Sequence, residues 1–232
     1  MTTYHLITLF PESVEPYVSS SILKRAQEKG IIAIKYYNPR DFVELKKNPS
    51  YSDRRVDNRP YGGGPGMVIE ALPIIRAIES AVGKKVKGSK VKIVFFSPAG
   101  KQFTNEIAET FKKYTDIVFV CGRYEGIDAR VKKAFPMIDI SVGPYVLTGG
   151  ELPAMIMIDT ITRRIPGVLG DHASVEENRI ASPDVYTRPE VIEYKGKKYR
   201  VPKVLLSGHH AKMDEWRTAV RADGGRGKRK EK

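Results

Sequence analysis

The sequence predicts an α/β domain built on a largely parallel sheet, and three observations carry that reading. Short apolar runs such as YHLITLF (Tyr4–Phe10), VKIVFF (Val91–Phe96) and DIVFVC (Asp116–Cys121) end in turns rich in Gly, Pro or Ser. Between such runs stand stretches with apolar residues at helical spacing, as in Ala71–Val82. The two kinds alternate along the chain, the order that crossover helices between parallel strands require.

The elements follow in order. Tyr4–Phe10 is a strand, Val14–Lys29 a helix with Pro16 near its start, and Gly30 its stop. Ile31–Tyr37 is a second strand. Residues 38–66 are polar and rich in Gly, Pro and Arg, and read as a long functional loop. Ala71–Val82 is a helix, GKKVKGSK (Gly83–Lys90) a basic connector, and Val91–Phe96 a buried strand ended by Ser97-Pro98-Ala99-Gly100. Thr104–Tyr114 is a helix, Asp116–Cys121 a strand, and a helix to about Phe135 precedes the strand Met137–Val142. Glu151–Arg164 is a helix stopped before Pro166. Beyond Gly167 the alternation breaks. A polar linker leads to a hairpin, VIEYKGKKYRV, turning at Gly196, and to a helix from a Ser207 cap to Ala222 with Met213 and Trp216 on one face.

Parallel sheets gather ligands beyond the carboxyl ends of their strands. The turns Ser97–Gly100, Gly122–Gly126 and Gly143–Gly150 all lie at such ends, carry few charges, and suit one pocket. Loops with so few side chains hold a flat aromatic ligand through backbone N–H and C=O groups, and adenine fits that description.

The totals narrow the function. Forty Lys and Arg against 27 acids give a net charge of +13. The last twelve residues hold six of those bases and two acids, so most of the excess is spread through the fold. Such a field attracts a polyanion. KYYNPR (Lys35–Arg40) and YSDRRVDNRPY (Tyr51–Tyr61) interleave cations with aromatic rings, a composition that suits RNA and ordinary exposed loops equally. The single Cys121 ends an apolar strand and reads as a buried, inert thiol in a reducing cytosol. No signal peptide or membrane-length apolar run is visible. There is no G-x-x-x-x-G-K-[ST], and YGGGPGM (Tyr61–Met67) has the wrong register for a dinucleotide fingerprint. The four histidines show no zinc spacing and read as surface or capping residues.

NRPYGGGPGM, VCGRYEGIDAR, VGPYVLTGGELPAM, RRIPGVLG, VYTRPEV and VPKVLLSGHH…WR occur in this order, with LFPE near the start. Together they resemble the bacterial tRNA (guanine-N1)-methyltransferases, a knotted family, over most of the chain to about Arg217. The resemblance implies a deep trefoil knot in residues 1–169, a linker over 170–184, and a small, shortened helical tRNA-binding domain with a basic tail over 185–232. It implies methyl transfer from S-adenosylmethionine to N1 of the guanine 3′ of the anticodon, in a cytoplasmic homodimer whose active sites are shared between subunits. By motif, the cofactor contacts are Phe95, Phe96, Ser97 and Pro98, then Gly122 and Glu125, then Val142, Gly143, Pro144, Tyr145, Val146 and Leu147. Magnesium is possible by resemblance, with no ligand identified.

The chemistry needs a base, because N1 of neutral guanine carries a proton, and a cation for the charge that develops on O6. Arg163 matches the family arginine at O6; a helix-terminal cation is the alternative reading of the same residue. The family base is an Asp in the linker. An ungapped count places Asn178 there, and the shorter linker calls for a gap, which aligns Glu177, our expectation; Asp171 and Asp184 stay open. Pro144 stands where the family usually has Asp, removing a carboxylate and an N–H donor. A same-fold enzyme with another RNA target and a binding homologue of weak turnover remain alternatives.

Overall fold

The computed structural model describes residues 1–44, 54–83, 90–169 and 184–222. The chain divides into two compact units, Met1–Leu169 and Gly170–Lys232.

In the first unit the elements are β1 (Thr2–Ile7), α1 (Glu15–Val18), α2 (Ser21–Glu28), β2 (Ile32–Tyr37), β3 (Asp57–Asn58), β4 (Val68–Ile69), α3 (Ala71–Val82), β5 (Val91–Gln102), α4 (Asn105–Phe111), β6 (Asp116–Val120), α5 (Arg130–Ala134), β7 (Met137–Ser141) and α6 (Glu151–Thr162). Five strands form one sheet in the order β2-β1-β6-β5-β7, and all its pairings are parallel. The predicted α/β class with a parallel central sheet therefore holds. Because β6 lies between β1 and β5, the chain leaving it must pass β5 to reach β7.

Every residue of β6 is buried, and its side chains alternate between two cores. Ile117, Phe119 and Cys121 join Tyr4, Leu6, Val18, Leu23, Met157 and Ile161 on one face. Val118 and Val120 join Ile7, Ile93, Ile74 and Ile78 on the other. Helices on both faces explain why the strand reads as an unbroken apolar run. The rings of Tyr4 and Phe119 stack at 6.1 Å, and those of Phe119 and Phe96 at 5.8 Å. The buried Tyr4 hydroxyl lies 2.9 Å from Thr162 Oγ1, tying β1 to the end of α6.

Several boundaries differ from the sequence prediction for physical reasons. The helix predicted over Val14–Lys29 is broken: Ser20 is extended (φ −122°, ψ 158°). The Gln27 side-chain amide donates to the Val18 carbonyl (2.7 Å) and the Ser20 hydroxyl to that of Tyr17 (2.7 Å), satisfying the end of α1. Strand β5 does not stop at Ser97; it resumes after a bulge, with Phe96 and Lys101 both opposite Ile140. Gly100 permits this, since a Cβ there would lie 2.7 Å from the Asp139–Ile140 backbone. Helix α4 is shorter than predicted, with Thr104 outside it as a cap accepting from Ile107 N–H. Helix α6 ends at Thr162 rather than Arg164. The predicted loop of residues 38–66 contains a 3-10 turn at Pro39–Phe42 and the strand β3.

His5 is neither a surface nor a capping residue. It is 3% exposed within β1, with Nε2 3.0 Å from Asp116 Oδ1 and Nδ1 3.3 Å from the Tyr37 hydroxyl. Partners on neighbouring strands make its burial tolerable, and a single sequence carries no sign of them.

In the second unit, β8 (Val191–Tyr194) and β9 (Lys197–Arg200) form the predicted hairpin, with Lys195 and Gly196 both at positive φ (52° and 73°). The helix predicted from a Ser207 cap is α8 (His210–Ala222), which begins later, and a short helix that was not predicted, α7 (Lys203–Leu206), precedes it. The Ser207 hydroxyl accepts from His209 N–H (3.3 Å) in the turn between them. Met213 is buried, and Trp216 packs on Tyr186 with ring centroids 6.2 Å apart. The linker to Pro183, His172, Tyr51 and the basic tail from Asp223 lie outside the described residues, as does most of the Gly83–Lys90 connector.

Phe119 joins the aromatic column to the core beneath it. Phe119→Ala is expected to lower stability by about 3–5 kcal/mol, read as a fall in the urea midpoint at unchanged m-value.

Candidate functional site

Beside the bulge of β5 and beyond the carboxyl ends of β6 and β7 lies a cavity of about 450 Å3, within the usual range for a small-molecule site. Its walls are built from three turns.

The first is the β5 bulge, which presents Phe95, Phe96, Ser97 and Pro98. The second follows β6. Glu125 N–H donates to the Met67 carbonyl (3.0 Å) and Ile69 N–H to the Gly126 carbonyl (3.0 Å), fastening this turn to β4. Gly66, at φ +81°, makes room for it: a Cβ there would sit 2.5 Å from Glu125 Oε1, and its three nearest neighbours would all be Glu125 side-chain atoms. Backbone freedom and side-chain absence both serve Glu125.

The third turn joins β7 to α6. The Ser141 hydroxyl bonds to Gly143, and the Tyr145 hydroxyl donates to the Val142 carbonyl (3.2 Å). At the start of α6 two backbones touch: Gly150 N–H donates to the Gly122 carbonyl (3.0 Å), and a Cβ on Gly150 would lie 2.5 Å from Cys121 Cα. Glycine is required here by contact, not by φ.

The cavity brings together all the predicted cofactor contacts except Pro144: Phe95, Phe96, Ser97, Pro98, Gly122, Glu125, Val142, Gly143, Tyr145, Val146 and Leu147 line it, and Pro144 does not. Arg123 and Lys132 also line it, and sequence reasoning passed them by. Arg123 Nε lies 3.0 Å from Glu151 Oε2, and its guanidinium sits 4.8 Å from the Phe10 ring centroid. The buried Glu151 also accepts from the Thr8 hydroxyl (2.7 Å). Lys132 Nζ is 4.0 Å from the Phe95 ring centroid and 2.6 Å from Asp139 Oδ2. The one available signal was Arg123 itself, a cation in the otherwise weakly charged turn CGRYEG.

Cys121 is fully buried beneath the cavity, and its thiol is pushed well up, first by burial and then by the Glu151 charge, against a smaller opposing pull from Arg123. It stays protonated at neutral pH and is no nucleophile.

Arg163 is elsewhere. It caps the far end of α6, partly buried. The helix is twelve residues long, about 18 Å at ~1.5 Å per residue. Glu177, Asn178 and Asp171 lie outside the described residues, and Asp184 belongs to the second unit. No group of three or more His, Cys, Asp or Glu comes together among the described residues.

Residues 2–231 match the family model described as tRNA (Guanine-1)-methyltransferase TrmD. The chain belongs to this family. Proteins named tRNA (guanine-N(1)-)-methyltransferase are similar over nearly its whole length. That of Staphylococcus epidermidis strain RP62A is 45% identical over 215 residues, 91% of this chain and 82% of the relative. That of Clostridioides difficile strain 630 is 44% identical over 219 residues, covering 92% and 90%. That of Dictyoglomus turgidum is 42% identical over 221 residues, covering 94% and 84%. Membership of this methyltransferase family implies S-adenosylmethionine as methyl donor.

In this methyltransferase Gly66 and Glu125 should act as one unit. Gly66→Ala is expected to weaken S-adenosylmethionine binding about tenfold or more in calorimetry. In Gly66→Ala/Glu125→Ala the two effects should combine to much less than their sum.

Proposed function

We propose that this chain transfers the methyl group of S-adenosylmethionine to N1 of the guanine 3′ of the anticodon in tRNA. The observation that carries the reading is the cavity between the β5 bulge and the turns after β6 and β7, where glycines at 122, 126, 143, 149 and 150 meet the apolar side chains of Phe95, Phe96 and Leu147.

The cavity fits the donor. Its apolar walls at Phe95, Phe96 and Leu147 suit an adenine ring, and the turns at Gly122 and Val142–Leu147 supply backbone hydrogen-bonding groups. Pro144 offers no N–H, so neighbouring amides carry that part of the grip. Bound there, S-adenosylmethionine supplies an electrophilic methyl on a sulfonium, and the Glu125 carboxylate complements that positive charge. On the acceptor side, Glu177 takes the N1 proton and Arg163 neutralises the charge that grows on O6. Magnesium has no assigned ligands.

The position of Arg163 supports a homodimer. A helix length separates it from the glycines at the cavity edge, further than one arginine reaches. Leu152, Met155, Ile156, Asp159 and Arg163 recur at the spacing of one face of α6 and retain solvent exposure. Packed on a second copy, that face carries Arg163 towards the partner's cavity, and each site is shared. The passage of the chain from β6 past β5, with Gly150 pressed on Cys121, is the arrangement expected of a deep trefoil knot. Residues 1–169 form the catalytic domain, 170–184 the linker, and 185–232 a small tRNA-binding domain. Among the described residues no helix is long and apolar enough to cross a membrane, and a tRNA substrate places the enzyme in the cytoplasm.

Tritiated methyl groups should enter tRNA with guanine after the anticodon and not the same tRNA with adenine there. Equal incorporation into both would assign another target, and none into either would leave a binding protein. Arg163→Ala should lower kcat about 100- to 1000-fold. Glu177→Gln should lower it about 100- to 10,000-fold. In single-turnover assays both should keep S-adenosylmethionine affinity within about twofold and thermal stability near the parent's.

A further inference from the structure

The β8–β9 hairpin has an aromatic face that nothing described in its unit covers. Register places Ile192 opposite Tyr199 and Tyr194 opposite Lys197. Side chains alternate between faces along a strand, so these four share one side and Val191, Glu193, Lys198 and Arg200 the other. Ile192, Tyr194 and Tyr199 are 55%, 61% and 45% exposed. The ring contacts found there are with cations of the hairpin itself: Lys195 Nζ is 5.4 Å from the Tyr194 centroid and Lys197 Nζ 5.7 Å from that of Tyr199.

A lone two-stranded hairpin is marginal in water, and one that exposes an isoleucine and two tyrosines is poorly suited to remain bare. Its charge identifies the occupant. Lys195, Lys197, Lys198 and Arg200 stand against the single acid Glu193. Cations placed over and beside aromatic rings are the equipment of single-stranded nucleic-acid sites, where phosphates meet the cations and unstacked bases meet the rings. Paired RNA keeps its base faces stacked inside the helix and offers the rings nothing.

We infer that the β8–β9 hairpin is an RNA-docking element that stacks unpaired bases of the tRNA on Tyr194 and Tyr199, while Lys195 and Lys197, the cations beside those rings, hold the flanking phosphates. This rests on the tRNA reading above and assigns part of the recognition to a named element and a named mode.

The test measures the affinity of the full-length protein for its substrate tRNA over a range of salt concentrations. Single-stranded and duplex RNA 12-mers serve as competitors, and S-adenosylmethionine binding and tRNA methylation are followed in parallel. Tyr194→Ala/Tyr199→Ala should weaken tRNA binding on the order of tenfold or more, with the salt slope and S-adenosylmethionine affinity unchanged. Tyr194→Phe/Tyr199→Phe, which keeps the rings, should bind as the parent does. Lys195→Gln/Lys197→Gln should flatten the salt slope by about 0.7 for each phosphate that is no longer neutralised. The single-stranded competitor should displace tRNA better than the duplex.

Parent-like affinity in the double alanine variant overturns the inference, as does equal competition by duplex. A change in oligomeric mass with tRNA affinity intact also overturns it, and assigns the face to a second copy of the chain. Failure of the enzymatic reading looks different: the parent would transfer no methyl group, whatever the hairpin variants do to binding.

Discussion

The site depends on one contact, the backbone of Gly150 pressed against Cys121-Gly122 at the end of the central strand, with Gly149 beside the Arg123 and Glu151 side chains. Side chains at these glycines would collide with Cys121 Cα on one side and with Arg123 and Glu151 on the other. Because the contact is made, the turn after β7 lies beside the turn after β6, and α6 begins at the cavity wall. Its first residue, Glu151, is thereby buried against Arg123 and Thr8. A buried pair of this kind adds little net stability, but it penalises any arrangement that separates the partners. It thus fixes how the end of β1, the turn after β6 and the start of α6 meet.

Grip and chemistry are thereby divided. The turns that would hold the methyl donor are rich in glycine and hydrogen-bonded to one another and to the residues around β4. Arg163, proposed for charge neutralisation, stands apart from them at the far end of α6.

Much of the fold was legible because the sheet is covered on both faces. Strands such as Asp116–Val120 must be apolar throughout, and their bounding turns cannot be. Departures arose where distant groups intervene. The break before Ser21 is sealed by a side chain seven residues on. The continuation of β5 through Gly100 depends on the backbone of β7. His5 is buried because Asp116 and Tyr37 come from other strands. In the site, motif resemblance supplied residue identities, and the cavity gathered nearly all of them. Pro144 fell outside, and Arg123 and Lys132 appeared only once partners from three elements surrounded them.

By itself the sequence determined the alternating α/β order, the glycine-rich turns, the basic character and the family, because these reside in local pattern and in motifs kept in order. Only tertiary structure decided which turns meet, that α6 separates Arg163 from the cavity, and that Gly66, Gly100 and Gly150 are glycine because of what lies against them. The physical reason is that contact excludes volume between residues far apart in the chain, and a linear pattern does not record what stands in the space a missing side chain leaves.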